Sequence, residues 1–319
     1  MSSLLVSIIM PIYNRLDYVK DALNSLLAQE HAPIEIIIVD DGSTTDVQGF
    51  ISKNFSSDKI RFFKKPHTGL SDSLNRGILE SRGDFIVFLD DDDLLHPQMI
   101  SESMRVLLDM PCDMVVVGYQ YFTGELNTSN RHDPYRISSF QDELLNNILR
   151  KNFTPINTLV LKKSIIQKAG LFNVSMETCM DWDLWCRVMA QGVKIEHLNQ
   201  CLSFVRVHQN NMSRNTVLMR RGHIALLRNA ERYLTQEQKS SINFRRIFAI
   251  GLIVNGWYII VSRDKKEGRN CLFEAIRRDL LFLPVAGAMF LMSYLPSAIL
   301  KAWTRWVEAI INRKNVYLD

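Results

Sequence analysis

Residues 85–93 read FIVFLDDDD, and residues 34–43 read IEIIIVDDGS. Each stretch is a continuous apolar run, rich in β-branched or aromatic residues, that ends abruptly in aspartates. Such runs are typical of strands buried on both faces of a parallel sheet, and the polar residues that follow are turn signals. We therefore predict buried strands over Ile34–Val39 and Phe85–Leu89, each with carboxylates at its C-terminal end.

The segments around these two runs alternate between strand-like and helix-like patterns. Further strands are predicted over Leu4–Met10, with Pro11 ending the first of them, Ile60–Phe63 and Met114–Val117. Four helices are predicted. The first covers Asn14–Gln29 with Asn14 as its cap, the second follows the turn at residues 40–43 and ends near Asn54, the third covers Ser71–Ser81, and the fourth begins at Pro97. Strands separated by helices predict βαβ units and an α/β fold with a mostly parallel central sheet. Ligands of such sheets bind beyond the C-terminal ends of the strands.

The chain changes character near residue 213. Residues 120–215 are less regular, with helices predicted over Ser139–Arg150 and Met180–Gln191 and strands over Thr158–Leu161 and Leu202–Val207. From Arg214 to Asp319 the pattern is all-helical, with 18 Lys and Arg against 8 Asp and Glu, a charge of +10 that leaves −6 for residues 1–213. We predict an α/β domain over 1–213 and a basic, apolar helical extension over 214–319. The basic part favours attraction to an anionic surface such as a membrane leaflet; a chance distribution of surface residues is the alternative.

The overall composition is that of a globular protein. Of the 319 residues, 47% are hydrophobic and 23% are charged, which disfavours disordered, collagen-like and coiled-coil chains. The five cysteines form no CxxC pair, which argues against a disulfide framework or zinc site and favours a reducing, cytoplasmic compartment. We expect no signal peptide, because a polar helix-like stretch follows the first strand too soon. No base-reading module accompanies the basic residues, so nucleic-acid binding is not expected.

Two groups of aspartates are candidate ligand sites. If the strand alternation continues past Leu89, Asp90 and Asp92 face the same side, where their oxygens suit Mg²⁺ or Mn²⁺. A solvated acidic turn before the helix at Pro97 is the alternative. The pair Asp40-Asp41 can accept hydrogen bonds from a nucleobase or ribose, or can form an Asx-type turn at a helix start.

Taken together, these pieces resemble the family 2 glycosyltransferases with the GT-A fold. The resemblance covers about residues 5–213. It is carried by VSIIMPIYN (6–14), IIIVDDGSTTD (36–46), TGLSDSLNRGI (68–78), GDFIVFLDDDD (83–93), MDWDLWCRV (180–188) and RVHQNNMS (206–213). It implies a nucleotide-diphosphosugar donor, with a UDP-sugar favoured, a Mn²⁺ or Mg²⁺ ion, and an inverting transfer to a carbohydrate or lipid-linked acceptor in surface polysaccharide or glycolipid biosynthesis.

The resemblance also implies roles for individual residues. Asp92, with Asp90 and His208, matches the metal site, and Asp181 matches the general base, for which Asp183 is an alternative. The nucleotide-sugar-binding set is Pro11, Tyr13, Asn14, Asp41, Asn75, Asp90 and Asp91. Two departures stand out: Ser73-Leu74-Asn75 lacks the arginine of the family's A-R-N, with Arg76 two positions on, and Met180 replaces the acidic neighbour of the base.

Leu280–Leu300 is a charge-free run of 21 residues flanked by basic residues. About 20 apolar residues can span a bilayer, but this run contains Pro284, Gly287 and Pro296. Three interpretations stay open: a buried helical hairpin, a true span, and a peripheral element over 280–314 that lies on the cytoplasmic face of a membrane, with Trp303 and Trp306 as anchors.

Two other functions fit parts of the pattern. A sugar nucleotidyltransferase would share the sheet and the aspartate-bound metal, but its glycine- and basic-rich phosphate loop is not recognisable near the first strand. A non-catalytic sugar-nucleotide-binding module at a membrane would share every binding residue, and turnover would distinguish it.

Overall fold

A computed structural model describes residues 4–126, 143–152, 154–209 and 211–313. The chain forms two compact units. The sheet unit comprises Met1–Leu144, Asn152–Ser175 and Arg187–Asn211, and the helical unit comprises Leu145–Lys151, Met176–Cys186 and Met212–Asp319. The helical unit therefore combines residues 212–319 with two earlier segments, one of which contains Asp181. The domain boundary at residue 213 stays a prediction.

The described part of the sheet unit contains one eight-stranded sheet. Its strands are β1 (Val6–Ile12), β2 (Ile34–Asp40), β3 (Ile60–Lys64), β4 (Phe85–Phe88), β5 (Leu94–Leu95), β6 (Met114–Phe122), β7 (Leu159–Lys162) and β8 (Ile195–Arg206). The spatial order is β3-β2-β1-β4-β7-β6-β8-β5. The first four strands in this order are parallel, and β6 is parallel to β8, whereas β7 and β5 run antiparallel to their neighbours. The predicted mostly parallel α/β sheet is therefore confirmed.

Thirteen α-helices are described along the chain. They are α1 (Val19–Leu27), α2 (Val47–Asn54), α3 (Leu70–Glu80), α4 (Met99–Asp109), α5 (Leu144–Ile148), α6 (Lys163–Ala169), α7 (Met180–Met189), α8 (Thr216–Tyr233), α9 (Gln236–Ser241), α10 (Phe244–Val261), α11 (Lys265–Arg278), α12 (Leu283–Met292) and α13 (Ser297–Arg313). The predicted helix over Ser139–Arg150 lies partly outside the described residues, and only its end is seen, as α5. The all-helical pattern predicted from residue 214 is confirmed over 216–313.

The first strand and helix differ from prediction. Pro11 lies inside β1 rather than ending it, because the carbonyl of Ile9 bonds Leu89 on the β4 side, and β4 pairs with β1 only up to Ile9. Pro11 faces that same side beyond the last paired residue, so its missing N–H costs no ladder bond. Asn14 does not cap α1; it adopts a left-handed conformation at φ 53°, and the helix begins at Val19.

The core of the sheet unit follows from the pattern of its strands. Every residue of β1 and β2 is buried, as expected for strands covered on both faces. On α1 the buried residues Val19, Ala22, Leu23 and Leu26 recur at helical spacing, so this helix covers the sheet with one apolar face.

The helical unit is built around α10. This helix is long and apolar enough to cross a membrane by length and composition, with a mean hydropathy of 1.5, but 72% of it is buried. Burial of this kind is what a core helix shows. A Cβ added at Gly268 of α11 would lie 2.4 Å from the carbonyl oxygen of Gly256 on α10, so glycine permits the two helices to pack closely.

The charge-free run over Leu280–Leu300 is not one helix. A 3₁₀ turn over Leu280–Phe282 leads into α12, which ends at Met292, and α13 starts at Ser297. With a rise of about 1.5 Å per residue, the 10 residues of α12 cover about half of the roughly 30 Å hydrocarbon core. The interpretation of 280–300 as a single membrane span is therefore wrong.

Candidate functional site

The strand directions bring the polar residues that follow four strands to one edge of the sheet. β1, β2, β4, β6 and β8 all run the same way, because two antiparallel pairings at β7 restore the direction of β4 in β6. Tyr13 follows β1, Asp41 follows β2, Asp90 follows β4 and His208 follows β8. Of the predicted binding residues in the sheet unit, those at strand ends therefore share this edge.

The four aspartates after β4 form a tight, buried turn. The backbone N–H of Asp93 donates to the carbonyl of Asp90 at 3.2 Å, and Asp91, Asp92 and Asp93 are only 8%, 7% and 4% exposed. The interpretation as a solvated acidic turn is therefore wrong. The strand alternation invoked for Asp90 and Asp92 does not apply either, because β4 ends at Phe88.

The turn gathers three carboxylates, one of which the sequence reasoning passed over. Ligand oxygens of Asp90, Asp92 and Asp93 lie within 4.8 Å of one another. The carboxylate of Asp93 accepts hydrogen bonds from the Asn157 amide at 2.8 Å and from the backbone N–H of Arg206 at 2.8 Å. Strand alternation predicts only Asp90 and Asp92 as metal ligands, and the turn conformation brings Asp93 into the same cluster.

The guanidinium of Arg15 and the imidazole of His208 face this cluster. Arg15 pairs with Asp92 at 2.5 Å and with Asp91 at 3.2 Å. His208 Nε2 lies 2.7 Å from Asp92 Oδ2, so the predicted metal residues Asp92 and His208 are in contact. The sequence analysis gives Arg15 no role, because nothing in the local pattern shows that it reaches residues 91 and 92.

The electrostatics of the cluster are those of crowded carboxylates. Burial raises the pKa of Asp91 to about 7, with Arg15 opposing the rise and Asp92 adding to it. Burial also raises the pKa of Asp93 well above its usual range, and the charges of Asp90 and Asp92 add to the effect. Both shifts have the sign expected when carboxylates lose water and face like charges. A bound cation would oppose both effects and lower the pKa of these carboxyl groups.

Arg206 holds the aspartate turn in place. Its Nε donates to the carbonyl of Asp92 at 2.8 Å, and its other nitrogens reach Gly124 and Asp21. The guanidinium also lies over the rings of Tyr18 and Phe122. Because an arginine whose three guanidinium nitrogens all donate is a rigid connector, the end of β8 fixes the turn after β4. Arg206 opens the RVHQNNMS segment, but sequence reasoning gave it no role.

Asp41 anchors a second loop at the same edge. One carboxylate oxygen accepts from Lys65 and from the backbone N–H of Thr68, and the other accepts from Gly69 N–H at 2.9 Å and contacts His67 at 2.8 Å. Burial alone would raise the pKa of Asp41, but the Lys65 and backbone hydrogen bonds bring it below its usual range. Asp41 is therefore an ionised group that shapes loop 65–69.

Tyr13 and His67 form an exposed aromatic pair beside Asp41. Their rings are stacked with centroids 4.1 Å apart and planes 15° apart, and Tyr13 is 45% exposed. Asn14 uses its carbonyl oxygen to accept from the backbone N–H and the hydroxyl of Thr44, so it supports the turn after β2. Pro11 is buried within β1.

Asn75 connects α3 to a distant loop. Its amide donates to the carbonyl of Phe172 at 2.9 Å and accepts from the Phe172 N–H at 2.8 Å. The neighbouring Arg76 pairs with Glu80 at 2.8 Å within the same helix. The described contacts of Asn75 are therefore those of a residue that positions backbone, and its predicted role at the nucleotide sugar stays a prediction.

Asp181 lies in the helical unit, in the first turn of α7, and is half-buried. The next residue, Trp182, stacks on His223 with centroids 4.3 Å apart and donates from Nε1 to the Ile148 carbonyl. Asp183 is 1% exposed and accepts from the Asn229 amide at 3.2 Å. Trp182 and Asp183 are thus held by neighbours within the unit, and Asp181 is carried on a helix end that both residues fix.

His223 should make the folding stability depend on pH. Its Nε2–H donates to the Leu149 carbonyl and its Nδ1 accepts from Asn255; burial lowers its pKa to about 4. An unfolded histidine titrates near 6.5, so the unfolded state binds the proton first as pH falls. Stability is full above about pH 6.5 and should fall by about 3 kcal/mol between there and pH 4.

The measurement is urea unfolding of wild type and His223→Gln across this pH range. The variant is expected to be less stable at pH 7 but to lose about 3 kcal/mol less on acidification. The same change at half-exposed His96 controls for loss of a histidine as such. Parallel curves for wild type and His223→Gln would contradict a buried neutral imidazole.

Comparison with known proteins agrees with this arrangement. The profile of the family described as Glycosyl transferase family 2 matches residues 7–167. An uncharacterized glycosyltransferase of Rickettsia typhi is 31% identical over 223 residues, covering 67% of this chain and 67% of that protein. A Rickettsia conorii relative is 32% identical over 189 residues, which are 58% of this chain but 31% of that protein. This chain thus spans about a third of the length of the second relative.

Other similar proteins have more specific descriptions. TuaG of Bacillus subtilis, a proposed teichuronic acid biosynthesis glycosyltransferase, is 26% identical over 66% of this chain and 82% of its own. The crystal structure of S. aureus TarS 1-349 in complex with UDP-GlcNAc superposes with a TM-score of 0.66 at 16% identity, covering 94% of this chain and 91% of TarS 1-349. The mannosyltransferase PcManGT of Pyrobaculum calidifontis, in complex with GDP-Man and Mn²⁺, gives a TM-score of 0.60 at 14% identity, covering 98% and 88%.

The two structural likenesses establish a common GT-A fold, which confirms the fold class predicted from the sequence. The profile match extends over half of the chain and includes β1, the Asp41 loop and the aspartate turn. This chain belongs to glycosyl transferase family 2.

Proposed function

We propose that this protein is an inverting glycosyltransferase that moves a sugar from a nucleotide-diphosphosugar to an acceptor hydroxyl. The observation that carries the proposal is the buried carboxylate cluster after β4, where oxygens of Asp90, Asp92 and Asp93 lie within 4.8 Å beside Arg15 and His208. Carboxylates of this kind hold the divalent cation that accompanies a diphosphate. Arg15 adds donors for phosphate oxygens.

The cluster suits a small divalent cation, Mn²⁺ or Mg²⁺. For Mg²⁺, with bonds of about 2.1 Å, ligand oxygens lie about 3 Å apart when adjacent and about 4.2 Å apart when opposite. Carboxylate oxygens within 4.8 Å of one another would have to move closer together to share one ion. Asp92, Asp90 and Asp93 would supply hard oxygen ligands, and His208 an additional nitrogen. When bound, the cation supplies charge neutralisation for the leaving nucleoside diphosphate.

The nucleoside end of the donor fits the aromatic pair beside Asp41. Tyr13 is exposed, so a nucleobase can stack on its ring. Loop 65–69 already occupies both carboxylate oxygens of Asp41, with two contacts on each oxygen. A hydrogen bond from a nucleobase N–H to Asp41 therefore requires His67, which is exposed, to turn away. A UDP-sugar is the donor that we favour.

The contacts of Asn14 and Asn75 refine the roles predicted for them. Both amides bind backbone or side-chain groups of neighbouring loops. We infer that these two residues shape the donor site by holding the turn after β2 and the loop at Phe172, while Asp90 or Asp91 reaches the ribose.

The acceptor hydroxyl needs a base, because it is a weak nucleophile until its proton is removed. Asp181 has this role in the proposal. It lies in the first turn of α7, where Trp182 and Asp183 are immobilised by His223, Ile148 and Asn229. Asp181 accepts the proton as the hydroxyl attacks the anomeric carbon on the side opposite the leaving diphosphate. This single displacement inverts the configuration of the anomeric carbon.

The likeness to TuaG supports an acceptor in surface polysaccharide biosynthesis, either a carbohydrate or a lipid-linked glycan. A cytoplasmic location is part of the proposal. It is supported by the five cysteines, all of them within the described ranges, none of which forms a disulfide.

A donor screen tests the proposal. UDP-, GDP- and TDP-sugars are incubated with the full chain, with Mn²⁺ or EDTA and with or without lipid-linked acceptors, and nucleotide release is measured. We expect release from a UDP-sugar only with the metal, increased by the right acceptor. Nucleotide-sugar binding without turnover would instead indicate a binding module, and pyrophosphate formation from sugar phosphate would indicate a nucleotidyltransferase.

A further inference from the structure

The segment Leu280–Ile299 presents an unusual concentration of exposed apolar side chains. Seventeen large hydrophobic residues are exposed in the described part of the chain, and eight of them fall within these 20 residues. They are Leu280, Leu281, Leu283, Val285, Leu291, Tyr294, Leu295 and Ile299, with exposures from 40% to 77%. We call this set the apolar surface. A concentration of exposed apolar side chains on a soluble protein is typical of an interaction site.

The apolar surface is built on a helix that its own chain does not cover. α12 is apolar on every side, yet Ala286 is its one buried residue within the described chain. A helix that is hydrophobic all round is expected to be buried in a core or in lipid. α10 meets this expectation within the helical unit, where 72% of it is buried, and α12 does not.

Contacts from α11 hold the apolar surface in a defined orientation. Lys265 donates to the carbonyl of Leu295 at 2.7 Å, and Arg269 donates to the Ser293 hydroxyl at 2.7 Å. The Arg269 guanidinium also lies 3.9 Å from the centroid of the Tyr294 ring. The turn between α12 and α13 is therefore attached to the core of the helical unit. The exposed side chains are part of an ordered surface.

Positive charge borders the apolar surface. Residues 265–305 contain seven Lys and Arg and three Asp and Glu, and Arg277, Lys301 and Arg305 are exposed. A second copy of the chain docked here would bring these like charges together. An anionic lipid leaflet would attract them, at about 1 kcal/mol for each basic residue near the surface. Charge complementarity thus favours a membrane over self-association.

We propose that α12 and its flanking turns, residues 280–299, lie in the headgroup region of an anionic membrane and bind the protein there peripherally. At 10 residues, α12 is too short to span, and elements that bind a membrane peripherally bury their apolar side chains in the interface to about 5–10 Å. Trp303, an anchor in the sequence interpretation, packs on Trp257 within the helical unit. The side chains that enter the lipid are therefore those of the apolar surface. This proposal goes beyond the proposed function and does not depend on it.

Vesicle flotation of the full chain tests the proposal. We expect binding to phosphatidylcholine vesicles that contain phosphatidylglycerol, weaker binding to pure phosphatidylcholine, and loss of the difference at high salt. Leu281→Ser with Leu291→Ser should lower the partition coefficient about a hundredfold, since each buried leucine contributes about tenfold. Leu79→Ser with Leu108→Ser, which changes equally exposed leucines of the sheet unit, should leave it unchanged.

A charge variant separates the two contributions to binding. Lys301→Gln with Arg305→Gln should reduce binding to the anionic vesicles about thirtyfold, at about 1 kcal/mol for each charge, and leave binding to phosphatidylcholine unaltered. All substituted side chains are exposed, and circular dichroism checks that the variants are folded. Failure of the wild type to float with anionic vesicles would overturn the proposal. So would a dimer in sedimentation equilibrium that Leu281→Ser with Leu291→Ser dissociates while lipid binding persists.

Discussion

Asp181→Asn is expected to reduce sugar transfer by about 10²–10⁴-fold, the usual contribution of a general base, while donor binding is retained. Asparagine has the shape of aspartate but cannot accept the acceptor's proton at neutral pH. The change is small for the fold, because Asp181 is half-buried in the first turn of α7. Initial transfer rates and calorimetric titration with the UDP-sugar, both with Mn²⁺, measure the two effects separately.

Asp183→Asn is the matched control for this prediction. Asp183 lies in the same turn but is buried and accepts a hydrogen bond from Asn229, so its replacement should lower stability more than the chemical rate. Full transfer by Asp181→Asn would remove Asp181 as the base. A loss confined to Asp183→Asn, with an unchanged unfolding midpoint, would assign the base to Asp183.

Asp92→Asn is expected to lower transfer about a hundredfold or more and to abolish its dependence on Mn²⁺. Charge stabilisation by a bound metal is worth several kcal/mol in such reactions, and Asp92 is the carboxylate that contacts both Arg15 and His208. Without the metal, the variant should be as stable as the wild type or more so. The reason is that the substitution removes one negative charge from a crowded cluster, while Arg15 retains its ion pair with Asp91.

Mn²⁺ affinity, measured by electron paramagnetic resonance without donor, gives a readout that is independent of turnover. It should fall in Asp92→Asn and stay unchanged in Asp58→Asn, an exposed carboxylate before β3. Wild-type Mn²⁺ affinity and transfer in Asp92→Asn would contradict its role as a metal ligand. A collapse in thermal stability without the metal would point to a structural role in holding Arg15.

Several features of the site could be predicted because their signals are local in sequence. β-branched runs ending in aspartates identified the buried strands of β2 and β4 and placed Asp41 and Asp90 at their ends. The parallel arrangement then implied that these ends share an edge. Pro11 was misread as the end of β1, because whether a strand tolerates proline depends on where its neighbour stops.

Other features depend on residues far apart in the chain. Arg15 reaches Asp92, Arg206 holds the turn of Asp92 and Asp93, and Asn157 binds Asp93. No spacing or periodicity connects positions 15, 92, 157 and 206. Their proximity results from the order of the strands, which brings β1, β4, β7 and β8 into one sheet.

The amino-acid pattern alone was sufficient for the α/β class, the family and the carboxylates at two strand ends, since short-range hydrophobic periodicity and motif order encode them. Which of the polar and apolar segments are buried was decided only by the tertiary structure. The acidic turn is an enclosed cluster and not a solvated one, α10 is a core helix, and α12 is left uncovered. Two apolar helices of one chain differ in this way because exposure depends on which other elements pack against each of them.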